Sequence, residues 1–206
     1  RAIARLGQLK LLRFLHSRLC YTPSVKRTVT AVPKAVAWSA RRFPDSAIDR
    51  PIVYLMAMSS EVSQAVVATM IRRLALSREQ AKKVSAGVWV DRALKKLTNR
   101  EATRPSQVYR LLHDFPDEAL VLLLAKEVSR QRGVGSNQLK CRIAAYVKNR
   151  TMNTALTGRD LQAMGLKPGP QYKTILEKLL DARIDGVVTT EAEERAFLQK
   201  RFGLVG

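Results

Sequence analysis

Residues 156–190, LTGRDLQAMGLKPGPQYKTILEKLLDARIDGVVTT, carry the clearest punctuation in the chain and predict a helix, a tight turn and a second helix. Thr157 stands where an N-cap hydroxyl can accept from a free backbone N–H, and Asp160 three positions on completes a capping box. Gly165 can take the left-handed conformation that stops a helix, Lys167-Pro168-Gly169 makes the turn, and Pro170 opens the next helix where a missing N–H costs nothing. In that second helix Tyr172, Ile175, Leu176, Leu179, Leu180 and Ile184 follow the 3.6-residue period, so they form one apolar stripe. Thr174, Glu177, Lys178, Asp181 and Asp185 take the other side, and Gly186 ends the helix.

The runs TGRDLQAMGLKPGPQY and ILEKLLDARIDGVVTTEAEE resemble the C-terminal end of the bacterial-type tRNA nucleotidyltransferases and their poly(A) polymerase relatives. The resemblance rests on a Thr-Gly-x-Asp-Leu helix start, Gly-Leu-Lys-Pro-Gly-Pro in the turn and Leu-Asp-Ala-x-x-Asp-Gly at the close. A weaker similarity lies in LGQLKLLRFLHSRL, residues 6–19, which resembles the opening of the helical body in some of these enzymes. What the resemblance implies is an all-α protein with a multi-helix body, residues 1–150, and a small C-terminal helical tail, residues 151–206. It also implies that the carboxylates, Gly-Gly turn and nucleotide-selecting Asp and Arg of the family belong to a head and neck upstream of Arg1. No cofactor is expected within this chain, Mg2+ and a nucleoside triphosphate being expected only with that head.

The whole-chain properties bound the function. The chain has 206 residues, 46% hydrophobic, enough for one or two domains with a real core. A net charge of +20 calls for an anionic partner, nucleic acid foremost. No membrane association is expected, because the longest apolar run, Ala119–Ala125, falls far short of the roughly 20 residues that span a bilayer. Cys20 and Cys141 have no C-x-x-C spacing, so they read as free thiols in a reducing compartment rather than a disulfide or zinc site. The chain begins at Arg1 without an initiator Met, which reads as a fragment or a processed product. Residues 1–43 contain no acid, as transit peptides do, but Leu6, Leu9, Leu12, Leu19 and Trp38 read as core. The expected location is cytoplasmic, with an organellar matrix as the alternative.

The charge is uneven. From Thr157 onward there are 8 basic and 7 acidic residues, so nearly all of the net +20 precedes it. Along that basic part the pattern predicts helices over 1–19; over 23–42, with Pro33 kinking or dividing it; over 61–74; from Ser77, capped by Gln80, to about Leu97; and from Pro105 to near His113. Pro51–Met58 is an apolar segment. Pro116 starts a helix whose ALVLLLA is apolar all round and so belongs at the centre, Gly133–Asn137 breaks it, and 137–150 forms the last body helix. Thr190 and Glu193 cap a final helix to Arg201. Together with the residue 156–190 pair this makes about ten or eleven helices and no strand pattern long enough to trust.

No catalytic constellation emerges. Glu191 and Glu193 fit first-turn acids at a helix start, and Asp181 and Asp185 fit a solvated helix face better than a cation site. Gly133-Val134-Gly135 lacks the Gly-Lys-Ser/Thr of a phosphate loop, and His16 and His113 have no Cys or acidic cluster beside them. RNA-binding residues are expected in the acid-free stretch, namely Lys10, Arg13, Arg18, Lys26, Arg27, Arg41 and Arg42. A second set is expected at the tail turn, where Arg159, Lys167, Gly169, Gln171 and Lys173 surround the free N–H groups of residues 171–173. The same turn also fits a plain corner between packed helices. Tyr172 falls on the apolar stripe and reads as core rather than as a base-stacking platform. The expected partner is RNA, tRNA first, held so that its 3′ end reaches a distant head that adds CCA or its terminal A. The alternative is a head-less structural RNA-binding subunit of a ribosomal or organellar ribonucleoprotein, bound to rRNA and its neighbours.

Overall fold

The computed structural model describes residues 2–99, 104–130 and 133–202. Within them the chain is all α: α1 (Ala2–Gln8), α2 (Pro23–Arg42), α3 (Arg50–Met58), α4 (Gln64–Arg73), α5 (Arg78–Ala86), α6 (Val90–Thr98) and α7 (Pro105–Leu112) come first. They are followed by α8 (Asp117–Ser129), α9 (Gly133–Asn149), α10 (Gly158–Ala163), α11 (Gln171–Ile184) and α12 (Glu191–Phe202), with 3-10 turns at Leu11–Phe14 and Gly87–Trp89. The chain divides into two compact units. Residues 1–100 and 114–144 form the first, and residues 101–113 and 145–206 the second.

The first unit is built around α8. Every residue from Ala119 to Ala125 is buried, as an all-apolar helix requires, and α2, α3, α5 and α6 surround it. Val25, Val29, Val32 and Val36 give α2 its buried stripe, while Lys26, Arg27, Thr30 and Lys34 keep to solvent. Two buried charges on α8, Glu118 and Lys126, are paired. The Glu118 carboxylate accepts from Asp49 N–H at 3.1 Å and from Lys83 Nζ at 3.0 Å, which raises the Lys83 pKa.

Several expectations for this unit need correction. The helix expected over 1–19 stops at Gln8, because Lys10 adopts φ 53° and a 3-10 turn follows. Leu12 and Leu19 are core, but Leu6 and Leu9 are 39% and 58% exposed, so half of that leucine set faces water. Trp38 is half-buried, edge-on to Phe43 with Arg42 over its ring. Pro33 does not divide α2, which runs unbroken for 20 residues. The ring removes one N–H at a position near the surface, and the buried valines on either side hold the helix together across it. The helix expected from Ser77 to Leu97 is instead α5, a 3-10 turn and α6. Gly133–Asn137 is not a break between helices, since α9 begins at Gly133. Glycine lowers helix propensity by only about 1 kcal/mol, which packing can outweigh.

The second unit packs around Leu156, Leu161, Met164, Ile175, Leu179, Ala182, Val188 and Leu198, with Leu166, Tyr172, Leu176, Phe197 and Phe202 flanking them. The predicted stops are in place. Gly165 has φ 87° and Gly186 φ 74°. At each the next N–H turns back onto the helix, Leu166 to the Leu161 carbonyl at 3.1 Å and Val187 to the Ala182 carbonyl at 2.8 Å. At the start of α10 the capping roles are redistributed. The Thr157 hydroxyl donates to Asp160 Oδ2 at 2.7 Å, and the Thr157 N–H donates to the same oxygen at 2.8 Å. At α12 the reciprocal box forms, with Glu193 accepting from Thr190 N–H and donating its own N–H to the Thr190 hydroxyl.

Candidate nucleic-acid interface

The basic surface of the first unit begins with α2. Thr22 caps it through the Val25 N–H at 3.1 Å, Pro23 fixes its first turn, and the 3.6-residue period then throws Lys26, Arg27, Thr30 and Lys34 to one side. These residues and Val128 and Ser129 of α8 line a shallow groove of about 430 Å3. Arg27 and Ser129 also belong to a deeper neighbouring cleft of about 850 Å3, whose other lining residues include Lys95 of α6 and Lys126 and Arg130 at the end of α8.

Two carboxylates organise that cleft. Asp91 receives Lys126 Nζ at 2.6 Å on one oxygen and an Arg130 terminal nitrogen at 3.5 Å on the other. Glu61 accepts from the Thr22 hydroxyl at 2.7 Å. Lys126 is nearly buried, its side chain 9% exposed, and its ammonium makes a second, longer contact of 3.4 Å to the Ser60 carbonyl. Arg27 and Lys95 are exposed and, among the described residues, no hydrogen bond or ion pair engages either side chain. The cleft therefore carries four cations against two carboxylates, and an anion entering it meets Lys126 and Arg130 held by Asp91 and the unpaired charges of Arg27 and Lys95.

The other residues expected in the first unit are dispersed. Lys10, Arg13, Arg18, Arg41 and Arg42 are all exposed and line neither groove. Arg13 lies over the Phe14 ring at 5.3 Å, and Arg42 over Trp38 at 5.9 Å. The acid-free stretch points to Lys26 and Arg27, but no local pattern points to Lys95 or Arg130. For Lys126, a lysine closing an otherwise apolar run, ALVLLLAK, was the available signal, since a buried lysine requires a partner.

In the second unit the tail turn is exposed from Lys167 to Gln171, and Arg159 and Lys173 are exposed as well. The expectation of three free N–H groups needs correction, because Tyr172 N–H donates to the Gly169 carbonyl at 3.1 Å and closes the turn on itself. The Gln171 amide donates to the Lys167 carbonyl at 3.3 Å, and Lys173 lies 4.0 Å from Glu177. Tyr172 is half-buried against the tail core with its hydroxyl donating to the Leu166 carbonyl at 2.7 Å, as a core tyrosine should be.

Asp181 and Asp185 of α11 are not left to solvent. Arg110 of α7 grips Asp181 through two hydrogen bonds of 2.8 and 2.7 Å, which raises the Arg110 pKa. Asp185 accepts from the Ser106 N–H and hydroxyl, both at 2.8 Å. Glu194, fully buried, accepts from the N–H groups of Ala155 and Leu156 and pairs with Arg183. These acids hold helices together. Glu191 pairs with Arg195 at 2.8 Å, and His113 stacks on Tyr109. Among the described residues no group of three or more His, Cys, Asp or Glu is placed to hold a metal ion, and no helix is long and apolar enough to cross a membrane.

Comparison with known proteins gives the same fold. The chain is 28% identical over 200 residues to the A-adding tRNA nucleotidyltransferase of Geobacter sulfurreducens, matching 94% of this chain and 22% of that protein. The Thermotoga maritima CCA-adding enzyme complexed with tRNA superposes with a TM-score of 0.72 at 20% identity, over 96% of this chain and 46% of that one. A CCA-adding enzyme bound to ATP gives 0.73 at 19% identity, over 99% and 46%. The chain thus spans less than half the length of these relatives. No family model matches it.

Proposed function

We propose that this chain is the tRNA-gripping body and tail of a nucleotidyltransferase that adds A or CCA, holding the folded RNA while a head outside these residues performs the transfer. The observation that carries this reading is the coincidence of the fold, similar along nearly its whole length to part of such enzymes, with a cationic cleft lined by Arg27, Lys95, Lys126 and Arg130. Template-independent transfer requires acids that hold metal ions at the nucleotide phosphates. Asp160, Asp181, Asp185, Glu193 and Glu194 are instead engaged in caps and helix pairs. What the first unit offers is charge placed on rigid helices, suited to phosphates and to the shape of folded RNA. The tail turn, with Arg159, Lys167, Gly169, Gln171 and Lys173, is the second contact of this reading.

The test is an incubation of this chain with tRNA lacking its 3′ end, Mg2+ and nucleoside triphosphates, beside a binding assay on the same RNA. Binding without extension is the expected result. Extension by this chain would overturn the assignment of chemistry to residues elsewhere, and absence of tRNA binding would overturn the grip.

A further inference from the structure

We propose that the cleft between α2, α6 and α8 is a phosphate seat, filled by a backbone phosphate of the bound RNA; this occupant rests on the RNA-binding reading above. Three observations converge on it. Arg27 and Lys95 enter from different helices with no protein partner among the described residues, so their charge is uncompensated. Asp91 binds Lys126 and Arg130 with one oxygen each and thereby aims both cations from the third wall. Finally, an ammonium has three hydrogens. Lys126 gives one to Asp91 at 2.6 Å and one to the Ser60 carbonyl at 3.4 Å, so its ammonium is held in place on a nearly buried side chain that lines the cleft. A phosphate oxygen entering the cleft can accept from that ammonium and brings the negative charge that Arg27 and Lys95 call for.

The negative groups on the walls do not prevent this. Asp91 is shared between two cations, and Arg27, Lys95, Lys126 and Arg130 still outnumber Asp91 and Glu61 on the lining. At about 850 Å3 the space exceeds one phosphate and suits a phosphate with its flanking sugar. Asp91 acts here as a positioning residue.

The test compares Arg27→Ala with Lys95→Ala, made together, against Arg72→Ala with Arg73→Ala, an equal loss of charge in the last turn of α4 and outside the cleft. Both pairs are exposed, so the folded chain should survive each change. With labelled tRNA at fixed salt, the cleft pair is expected to lose about tenfold or more and to flatten the dependence of log affinity on log salt by about two contacts, the control pair losing much less. Equal losses would overturn an RNA phosphate as the occupant. So would a polyglutamate competing as well as tRNA at equal charge, because the cleft would then attract any polyanion. A second arm measures melting temperature in phosphate and in chloride at matched ionic strength. Should the wild-type chain bind no tRNA, the RNA reading fails, yet stabilisation by phosphate that the cleft pair abolishes would keep the seat with free phosphate as its source. No cleft-dependent phosphate effect in that circumstance would overturn the seat itself.

Discussion

At the scale of single residues, the stability of the second unit leans on a few polar side chains. Glu194 is fully buried and answers two backbone N–H groups and Arg183. Removing its charge leaves Arg183 unpaired, so Glu194→Gln is expected to destabilise by roughly 2–4 kcal/mol, read by urea unfolding. Gly165 has open space where a Cβ would sit, so Gly165→Ala tests conformation alone and is expected to cost about 1 kcal/mol from its φ of 87°. Asp160 and Glu193 have pKa values held below the ordinary carboxylate range, in each case first by a backbone N–H, from Thr157 and Thr189 respectively. A lowered folded pKa contributes stability that is present above the unfolded value of about 4 and is lost as pH falls through the folded value. Asp160→Asn with Glu193→Gln should therefore be less stable than wild type at pH 7, and the gap should close as the pH is taken below 4. A gap independent of pH would show that the charged form is not what the caps require.

At the scale of elements, legibility followed the strength of the local signal. Gly165, Gly186 and the Thr190–Glu193 cap were readable because each satisfies a backbone requirement within a few residues. The partner of the α11 acidic face was not readable. Asp181 and Asp185 look solvated on a helical projection, and the residues that meet them, Arg110 and Ser106, lie some seventy to eighty positions earlier. Pro33 misled for the opposite reason, a local rule outweighed by buried valines on both sides. The two α11 acids should also differ in consequence. Asp185 satisfies the N–H and hydroxyl of buried Ser106, so Asp185→Ala is expected to cost roughly 1–3 kcal/mol. Asp181 pairs with an Arg110 side chain that is half exposed, so Asp181→Ala should cost about 1 kcal/mol or less. Denaturant midpoints of the two variants decide the order, and the reverse order would mean that the ion pair carries the junction.

At the scale of the whole molecule, the net charge announced an anionic partner while the sequence could not say where its charges gather. Lys26 and Arg27 were within reach because they stand in an acid-free stretch. Lys95, Lys126 and Arg130 were not, because only packing of α2 and α6 against α8 brings them to one cleft. If this basic surface grips RNA, its affinity must respond to salt. Affinity for tRNA and for an unstructured RNA of equal length is measured from low to high salt, for the wild-type chain, for Arg13, Arg18, Lys26 and Arg27 reversed together to Glu, and for Lys167→Ala with Lys173→Ala. Log affinity should fall linearly with log salt. The charge reversal should weaken both RNAs and flatten the slope, whereas the tail pair should weaken folded tRNA by roughly 1–3 kcal/mol and unstructured RNA little. An unchanged slope in the reversal variant would contradict the account, because those charges would then face only solvent.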